Sequence, residues 1–207
     1  MADWFYRLAC LLGRPPLWLA SRPIELHVDR VPLTGPLILA PNHTSPFDVP
    51  CLMRSCPRPI DFLSIVEMQR KPLIGPLYTA MNCVFVDRDR RDIKAARALR
   101  ERLRVGRLLS IFPEGAIRKP EQSITRGGPF KPGIVRLAMQ SGVPILPCVM
   151  INTAGHAKPL NWFPFQRWAY GINFGEPMMM SDEATGIVQL RGAYQSLHQE
   201  LEVHMPK

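Results

Sequence analysis

A histidine and an aspartate five residues apart, His43 and Asp48, are the strongest candidates for chemistry in this 207-residue chain. A carboxylate bonded to an imidazole holds one tautomer and stabilises the protonated ring, so that the other ring nitrogen serves as a general base. On the pair alone, the alternative is a histidine that only caps the start of a helix or forms hydrogen bonds within a loop. The apolar run at residues 36–40 favours the functional reading, because α/β proteins build their sites where strands end.

Arg88 is the second candidate, and it also follows an apolar run, residues 83–86. An arginine at such a strand end can bind a phosphate group through two parallel hydrogen bonds. The alternative is an arginine that pairs with Asp87 or Asp89 on a solvated surface.

Glu114 and Gly115 follow a third apolar run, residues 107–112. A carboxylate in a groove can accept a hydrogen bond from a substrate hydroxyl, and a glycine lets the backbone approach a ligand closely. The alternative is a surface turn. Arg118 and Lys131 come shortly after and are candidate phosphate ligands, although most such charges are only solvated.

Taken together, these motifs resemble the glycerolipid acyltransferases. Residues 42–48 (NHTSPFD) resemble that family's NHxxxxD signature. Residues 84–88 (VFVDR), 112–115 (FPEG) and 143–147 (VPILP) resemble its second, third and fourth blocks in the same order and with similar spacing. The resemblance extends over about residues 24–180.

The resemblance implies an α/β fold like that of glycerol-3-phosphate acyltransferase and the transfer of a fatty acyl group to a lysophospholipid hydroxyl. The implied donor is a thioester, acyl-CoA or acyl carrier protein, and the implied acceptor is 1-acylglycerol-3-phosphate, which would give phosphatidic acid. A different lysolipid acceptor is the alternative. Neither a metal nor a further cofactor is expected, since a thiolate leaves readily.

The resemblance also assigns roles to residues. It implies a catalytic dyad of His43 and Asp48 and a substrate pocket shaped by the fourth block around Pro144. Arg118 stands one residue later than in many family members, so Lys131 is its alternative as a phosphate ligand. The implied substrate-binding residues are Asn42, Arg88, Glu114, Gly115, Arg118 and Lys131.

Strands that alternate with helices predict a layered α/β sheet flanked by helices. Predicted strands include residues 24–28, 61–66 and 143–150, with 170–174 as an edge strand. Residues 23–207 are expected to form the acyltransferase domain. Residues 1–22 are predicted to form a helical membrane-surface segment, in two short pieces, residues 4–12 and 16–20.

Composition narrows the classes of protein. With 46% hydrophobic and 21% charged residues, the chain is neither disordered nor fibrous. Five cysteines without a C-x-x-C pair argue against a disulfide framework or a zinc site. The charge of +9 points to an anionic partner, and the window 88–107 carries nine Lys/Arg against three Asp/Glu.

The basic window and the aromatic, leucine-rich segment 1–22 together predict monotopic or peripheral binding at the cytoplasmic face of a membrane. The segment could instead pack as a helix on the protein's own core. Two further alternatives remain: a non-enzymatic basic module that binds nucleic acid or anionic lipid, and a catalytically inactive lipid-binding member of the fold. No nucleic-acid fold signature accompanies the basic window, so a nucleic-acid partner is not expected.

Overall fold

The computed structural model describes residues 3–72, 74–87, 92–158 and 167–206. Over these residues a seven-stranded sheet lies between two layers of helices. The strands are β1 (Ser21–Leu26), β2 (Leu37–Pro41), β3 (Ile60–Ile65), β4 (Val84–Val86), β5 (Leu108–Ser110), β6 (Ile145–Ile151) and β7 (Trp168–Phe174). The helices are α1 (Trp4–Ala20), α2 (Asp48–Ser55), α3 (Val66–Gln69), α4 (Ile74–Ala80), α5 (Ile93–Arg104), α6 (Gly133–Ser141) and α7 (Glu183–His204).

The strand order is β1-β7-β6-β2-β5-β3-β4. Strands β6, β2, β5, β3 and β4 run parallel to one another, whereas β7 is antiparallel to β6 and parallel to β1. The C-terminal ends of β2, β5, β3 and β4 therefore meet at one edge of the sheet, where α/β proteins bind their ligands. The predicted fold class, a layered α/β sheet flanked by helices, is confirmed.

The prediction that residues 170–174 form an edge strand is wrong. Strand β7 lies between β6 and β1, and β1 pairs with it from Ser21 opposite Trp168 to Leu26 opposite Asn173. The edge strand on this side of the sheet is β1, which contains Pro23. A proline cannot donate to a ladder, so an edge strand tolerates it.

Two hydrophobic clusters cover opposite faces of the sheet. In β2, Leu37 and Leu39 join the cluster that packs under α1 and α2, whereas Ile38 and Ala40 join the cluster under α5, α6 and α7. Alternate side chains of a strand point to opposite faces, so these two helix layers lie on opposite sides of the sheet. We call them the α1–α2 face and the α5–α7 face.

The predicted division of the N-terminal segment into two helical pieces is also wrong, because α1 continues through Pro15 and Pro16. A proline deprives the carbonyl four residues earlier of its helical donor. Here those carbonyls belong to Leu11 and Leu12, which are exposed, so water can serve them. Within the described part of the chain, no helix has both the length and the apolar character needed to cross a membrane.

Candidate active site

The two residues of the predicted dyad are in contact. His43 lies two residues beyond β2, and Asp48 is the first residue of α2. His43 Nδ1 is 2.8 Å from Asp48 Oδ2. The Asp48 side chain is fully buried, and 16% of the His43 side chain is exposed. The fold therefore presents the imidazole at the surface of a site while keeping its partner carboxylate away from water.

The other contacts of Asp48 fix the tautomer of His43. Its Oδ2 atom also accepts hydrogen bonds from the backbone N–H groups of Thr44 (2.8 Å) and Ser45 (2.9 Å). Its Oδ1 atom accepts a hydrogen bond from the Thr153 hydroxyl. Because Oδ2 accepts from two backbone N–H groups, it also accepts from His43, so Nδ1 carries the hydrogen and the lone pair of the neutral ring is on Nε2.

Thr153 was missed by the sequence analysis. It lies two residues beyond β6, which runs parallel to β2 with Pro41 opposite Cys148. Both strands therefore deliver polar residues to the same edge of the sheet. A polar residue just past a strand end was the signal that identified His43 and Glu114, and the same signal was present at Thr153.

Two of the three strand-end motifs, residues 42–48 and 112–118, meet at His43. Its ring stacks on Phe112, with centroids 3.9 Å apart and planes 22° apart. Its backbone N–H donates to Glu114 Oε2 at 3.2 Å, and its carbonyl accepts from the backbone N–H of Arg118 at 2.8 Å. The loops after β2 and β5 thus hold each other in place around the imidazole.

Glu114 is fully buried and bound by the protein itself. Besides the His43 N–H, it accepts hydrogen bonds at Oε1 from the Ser123 hydroxyl (2.7 Å) and the Ile124 N–H (2.9 Å). Burial raises the pKa of the Glu114 carboxyl, against the opposing effect of these donors. Glu114 therefore links the loop that contains His43 to the segment that contains Ser123 and Ile124.

Gly115 and Lys131 lie together beside His43 and line the same cavity. Gly115 has a φ of +69°, which side chains disfavour, and a Cβ atom there would lie 2.5 Å from Lys131 Cε, so the lysine would have to move. Lys131 is anchored by its backbone N–H, which donates to Pro113 O at 2.8 Å. Arg118 is half-buried, and its Nε has no hydrogen-bond partner among the residues that the structure describes.

The remaining predicted residues lie elsewhere. The Asn42 amide is buried against β6, where it donates to Met150 O (3.0 Å) and accepts from Met150 N (2.6 Å). Arg88 lies outside the described residues. The expectation of a pocket around Pro144 is wrong: Pro144 O accepts from Ile38 N, near the N-terminal end of β2. Since β6 runs parallel to β2, Pro144 lies at the opposite end of the sheet from His43.

A cavity of about 970 Å³ extends from His43 across the C-terminal edge of β3, β4 and β5. This is near the upper end of the ~300–1,000 Å³ range of ligand pockets. Its lining residues come from both faces of the sheet, and its apolar wall includes Phe62, Met68, Met81, Leu99, Ile134 and Leu137. Three cationic residues, Arg100, Lys131 and Arg136, line its α5–α6 side.

The cavity therefore offers an apolar volume, a polar rim and one imidazole. No group of three or more His, Cys, Asp or Glu side chains that could hold a metal ion occurs over residues 3–72, 74–87, 92–158 and 167–206.

Comparison with known proteins places these features in a family. The family model described as Acyltransferase matches residues 23–151. The 1-acyl-sn-glycerol-3-phosphate acyltransferase of Limnanthes alba is 31% identical over 152 residues, 69% of this chain and 50% of the relative. That of Borreliella burgdorferi is 30% identical over 145 residues, 66% of this chain and 54% of the relative. The lyso-ornithine lipid O-acyltransferase of Pseudomonas aeruginosa is 32% identical over 129 residues, 62% of this chain and 48% of the relative.

The chain spans about half the length of the curated relatives it matches. In fold it is similar to the crystal structure of the 1-acyl-sn-glycerophosphate (LPA) acyltransferase PlsC from Thermotoga maritima. The TM-score is 0.78 at 22% identity, covering 97% of this chain and 81% of that one. The expected fold relationship is thus confirmed, and because the family model covers more than half of the sequence, this chain belongs to the acyltransferase family.

Proposed function

We propose that this protein transfers a fatty acyl group from a thioester to the free hydroxyl of 1-acylglycerol-3-phosphate, which gives phosphatidic acid. The observation that carries the proposal is the bonded pair of His43 and Asp48 at the wall of a large apolar cavity with cationic residues on one side. Two curated relatives named for this acceptor support the choice of substrate.

The reaction is a direct transfer. His43 Nε2 takes the proton of the acceptor hydroxyl, and the oxygen attacks the thioester carbonyl carbon to form a tetrahedral intermediate. The C–S bond then breaks, and the imidazolium returns the proton to the departing thiolate. Asp48 stabilises the imidazolium throughout, so the cycle needs no metal ion.

An acyl-enzyme is not required. Cys83 lines the cavity, but burial, with a smaller contribution from Asp61, raises the pKa of its thiol to about 12. The nucleophile in such chemistry is the thiolate, so Cys83 is unreactive at neutral pH.

The cationic side of the cavity suits the acceptor phosphate. Lys131 lies against Gly115 in the same wall as His43, which supports Lys131 as a phosphate ligand. Arg136 also lines this side, but it is paired with Glu183. The roles of Arg88, Arg118, Glu114 and Asn42 in substrate binding stay predictions.

We assign the acyl chain to the other part of the cavity, formed by β3, α3 and α4. Met68 of α3 lies there, and we expect Met68→Trp to shorten the acyl chain that the enzyme accepts. The rate ratio of a C16 to a C10 donor should fall at least about tenfold, since a methylene in an apolar pocket is worth ~1–3 kcal/mol. Gln69→Trp is the matched control, because Gln69 is exposed on the same helix. An unchanged ratio in Met68→Trp would place the chain elsewhere.

The function is tested by thiol release from palmitoyl-CoA with a panel of acceptors. We expect release that depends on 1-acylglycerol-3-phosphate and phosphatidic acid as product. Release supported better by lyso-ornithine lipid or another lysolipid would correct the acceptor and keep the reaction. No release with any acceptor, from either palmitoyl-CoA or palmitoyl acyl carrier protein, would favour an inactive lipid-binding member.

Membrane-surface binding is part of the proposal, and α1 supports it. Tyr6, Leu17 and Ala20 are buried on the α1–α2 face, so α1 does pack on the core. Its outer side nevertheless exposes Trp4 by 65%, Leu11 by 68% and Leu12 by 67%. Apolar side chains interspersed with exposed arginines, here Arg7 and Arg14, are typical of helices that lie in a membrane interface.

We therefore expect the substitutions Leu11→Ser and Leu12→Ser together to abolish flotation with anionic phospholipid vesicles. The free energy lost is about 1.5–3 kcal/mol for each leucine that no longer enters the lipid. Val188→Ser with Val203→Ser on α7 is the matched control, because both valines are more exposed than 60% and lie on another helix. Equal flotation of the two double variants would show that α1 is not the membrane contact.

A further inference from the structure

We propose that the exposed cationic side of α5 is the docking surface for an acidic carrier protein that brings the acyl group as a thioester. The proposal rests on the acyl-transfer function above and names the donor that this site uses. We call this surface the α5 stripe and define it by Lys94, Arg97, Arg100 and Arg104.

The α5 stripe is a continuous band of positive charge. Its four residues are exposed and recur every three or four positions, so they lie on one side of the helix. From Lys94 to Arg104 the band is about 15 Å long at ~1.5 Å per residue. Glu101, which pairs with Arg104 at 2.7 Å, is the one acidic residue of α5. The opposite side of α5 is held in the core by Leu99 and Leu103.

The α5 stripe is continuous with the candidate active site. Ala96 and Arg100 line the cavity together with His43, whereas Lys94 and Arg97 lie outside it on the same helix. A thioester arm that enters the cavity past Ala96 would therefore leave the rest of its carrier against the stripe.

The location of α5 argues against a membrane as the occupant. The exposed leucines and tryptophans of α1 lie on the α1–α2 face, and α5 lies on the α5–α7 face. A flat bilayer that receives α1 lies on the other side of the sheet from the α5 stripe. This arrangement therefore disfavours the expectation that the N-terminal segment and the basic window bind the same lipid surface. A partner in solution can still reach the stripe.

The residues in and beside the stripe favour a protein, rather than the nucleotide part of CoA, as the partner that binds there. Exposed apolar side chains flank it, since Ile93 is 64% and Val105 54% exposed at the two ends of the helix. Arginine is enriched in protein interfaces, and it supplies three of the four residues of the stripe, Arg97, Arg100 and Arg104. An acidic helix of similar length would complement it, and complementary charge mainly raises the association rate.

The test compares two donors with the same acyl chain, palmitoyl acyl carrier protein of the acidic bacterial type and palmitoyl-CoA. We expect Lys94→Glu with Arg97→Glu to lower kcat/KM for the carrier-protein donor by about 10- to 100-fold at low salt, and by less as salt rises. For palmitoyl-CoA the value should stay within about twofold. Arg22→Glu is the control, because Arg22 is exposed on β1 at the far edge of the sheet.

Other outcomes would overturn the proposal. An equal loss with both donors, or a loss with palmitoyl-CoA alone, would make the stripe a site for the phosphates of CoA or a support of the catalytic centre. Loss of vesicle flotation in the double variant would make it a membrane contact, and loss of duplex DNA binding with unchanged carrier-protein kinetics would make it a nucleic-acid site.

Direct binding separates this proposal from the proposed function. Holo acyl carrier protein without an acyl group should bind the wild-type protein in fluorescence anisotropy and should lose that binding in the double variant. If neither donor is turned over but this binding is seen, the acyl-transfer proposal fails and the docking surface stands. If both donors are turned over and the binding is absent, the docking surface fails alone.

Discussion

His43→Ala is expected to lower kcat for acyl transfer by about 10³-fold, within the ~10²–10⁴-fold range of general-base catalysis. The variant removes the group that accepts the proton of the acceptor hydroxyl. It keeps the cavity and the cationic wall, so KM for the acceptor should change much less than kcat. The measurement is acceptor-dependent thiol release from palmitoyl-CoA.

The matched control is His204→Ala, which removes an exposed histidine at the end of α7, where its Nδ1 pairs with the carbonyl of Glu200. Both variants should keep the wild-type circular dichroism spectrum and unfolding temperature. A folded His43→Ala protein that retains more than about a tenth of the wild-type rate would exclude His43 as the base.

Asp48→Asn extends this experiment and distinguishes the two members of the dyad. The amide oxygen of asparagine can still accept from the N–H groups of Thr44 and Ser45, but the amide has no negative charge and so does not stabilise the imidazolium. We expect a loss of kcat comparable to that in His43→Ala, with little further loss in the double variant, because the two residues act as a unit. Additive losses would show that they act separately.

Asp61→Asn is expected to have the largest effect on stability, a decrease of about 3–5 kcal/mol in the free energy of unfolding. Asp61 is fully buried at the start of β3. It accepts hydrogen bonds from Arg102 Nη1 at 2.7 Å and from Arg107 Nε at 3.1 Å. Loss of the carboxylate leaves Arg102 without its ionic partner and leaves Arg107 with Asp3 alone, and each guanidinium is less than a fifth exposed.

The same cluster holds the N-terminal end of α1. Arg107 donates from Nη1 and Nη2 to the two oxygens of Asp3, each at 2.8 Å, and these hydrogen bonds keep the pKa of Asp3 below its ordinary value. A lowered carboxyl pKa means that the contact stabilises the fold at neutral pH and that this stability is lost as the pH falls through the lowered value. Asp61 and Asp3 share Arg107, so Asp61→Asn should also disturb the position of the arginine that holds the N-terminal end of α1.

Thermal unfolding checks this prediction, with an expected fall in the midpoint of order 10 °C for a chain of this size. Glu183→Gln is the control, because it also removes an Arg–carboxylate pair, with Arg136, but on the surface. Surface pairs contribute little, so the control should unfold with the wild type. A similar midpoint in both variants would show that the Asp61 cluster contributes no more than a surface pair.

Much of the fold follows from local patterns. Apolar runs bounded by turn residues predict β2, β3, β4, β5 and β6. The apolar residues of α5 and α7 recur at helical spacing. The prediction failed at two points. Strand β7 is internal because β1 pairs outside it, and α1 continues through Pro15 and Pro16, where the local pattern predicts a break.

The sequence by itself determined which residues form the strand-end motifs. His43, Asp48 and Glu114 follow short apolar strands closely in the chain. Because parallel strands bring their C-terminal ends to one edge of the sheet, these residues come together there. Only the tertiary structure decided how these residues are used. Asn42 contacts Met150 and Thr153 contacts Asp48 across more than a hundred residues of chain, and no local pattern encodes such contacts. The separation of α1 from α5 likewise depends on which side of the sheet each helix packs, and strand order and chain crossovers determine that choice.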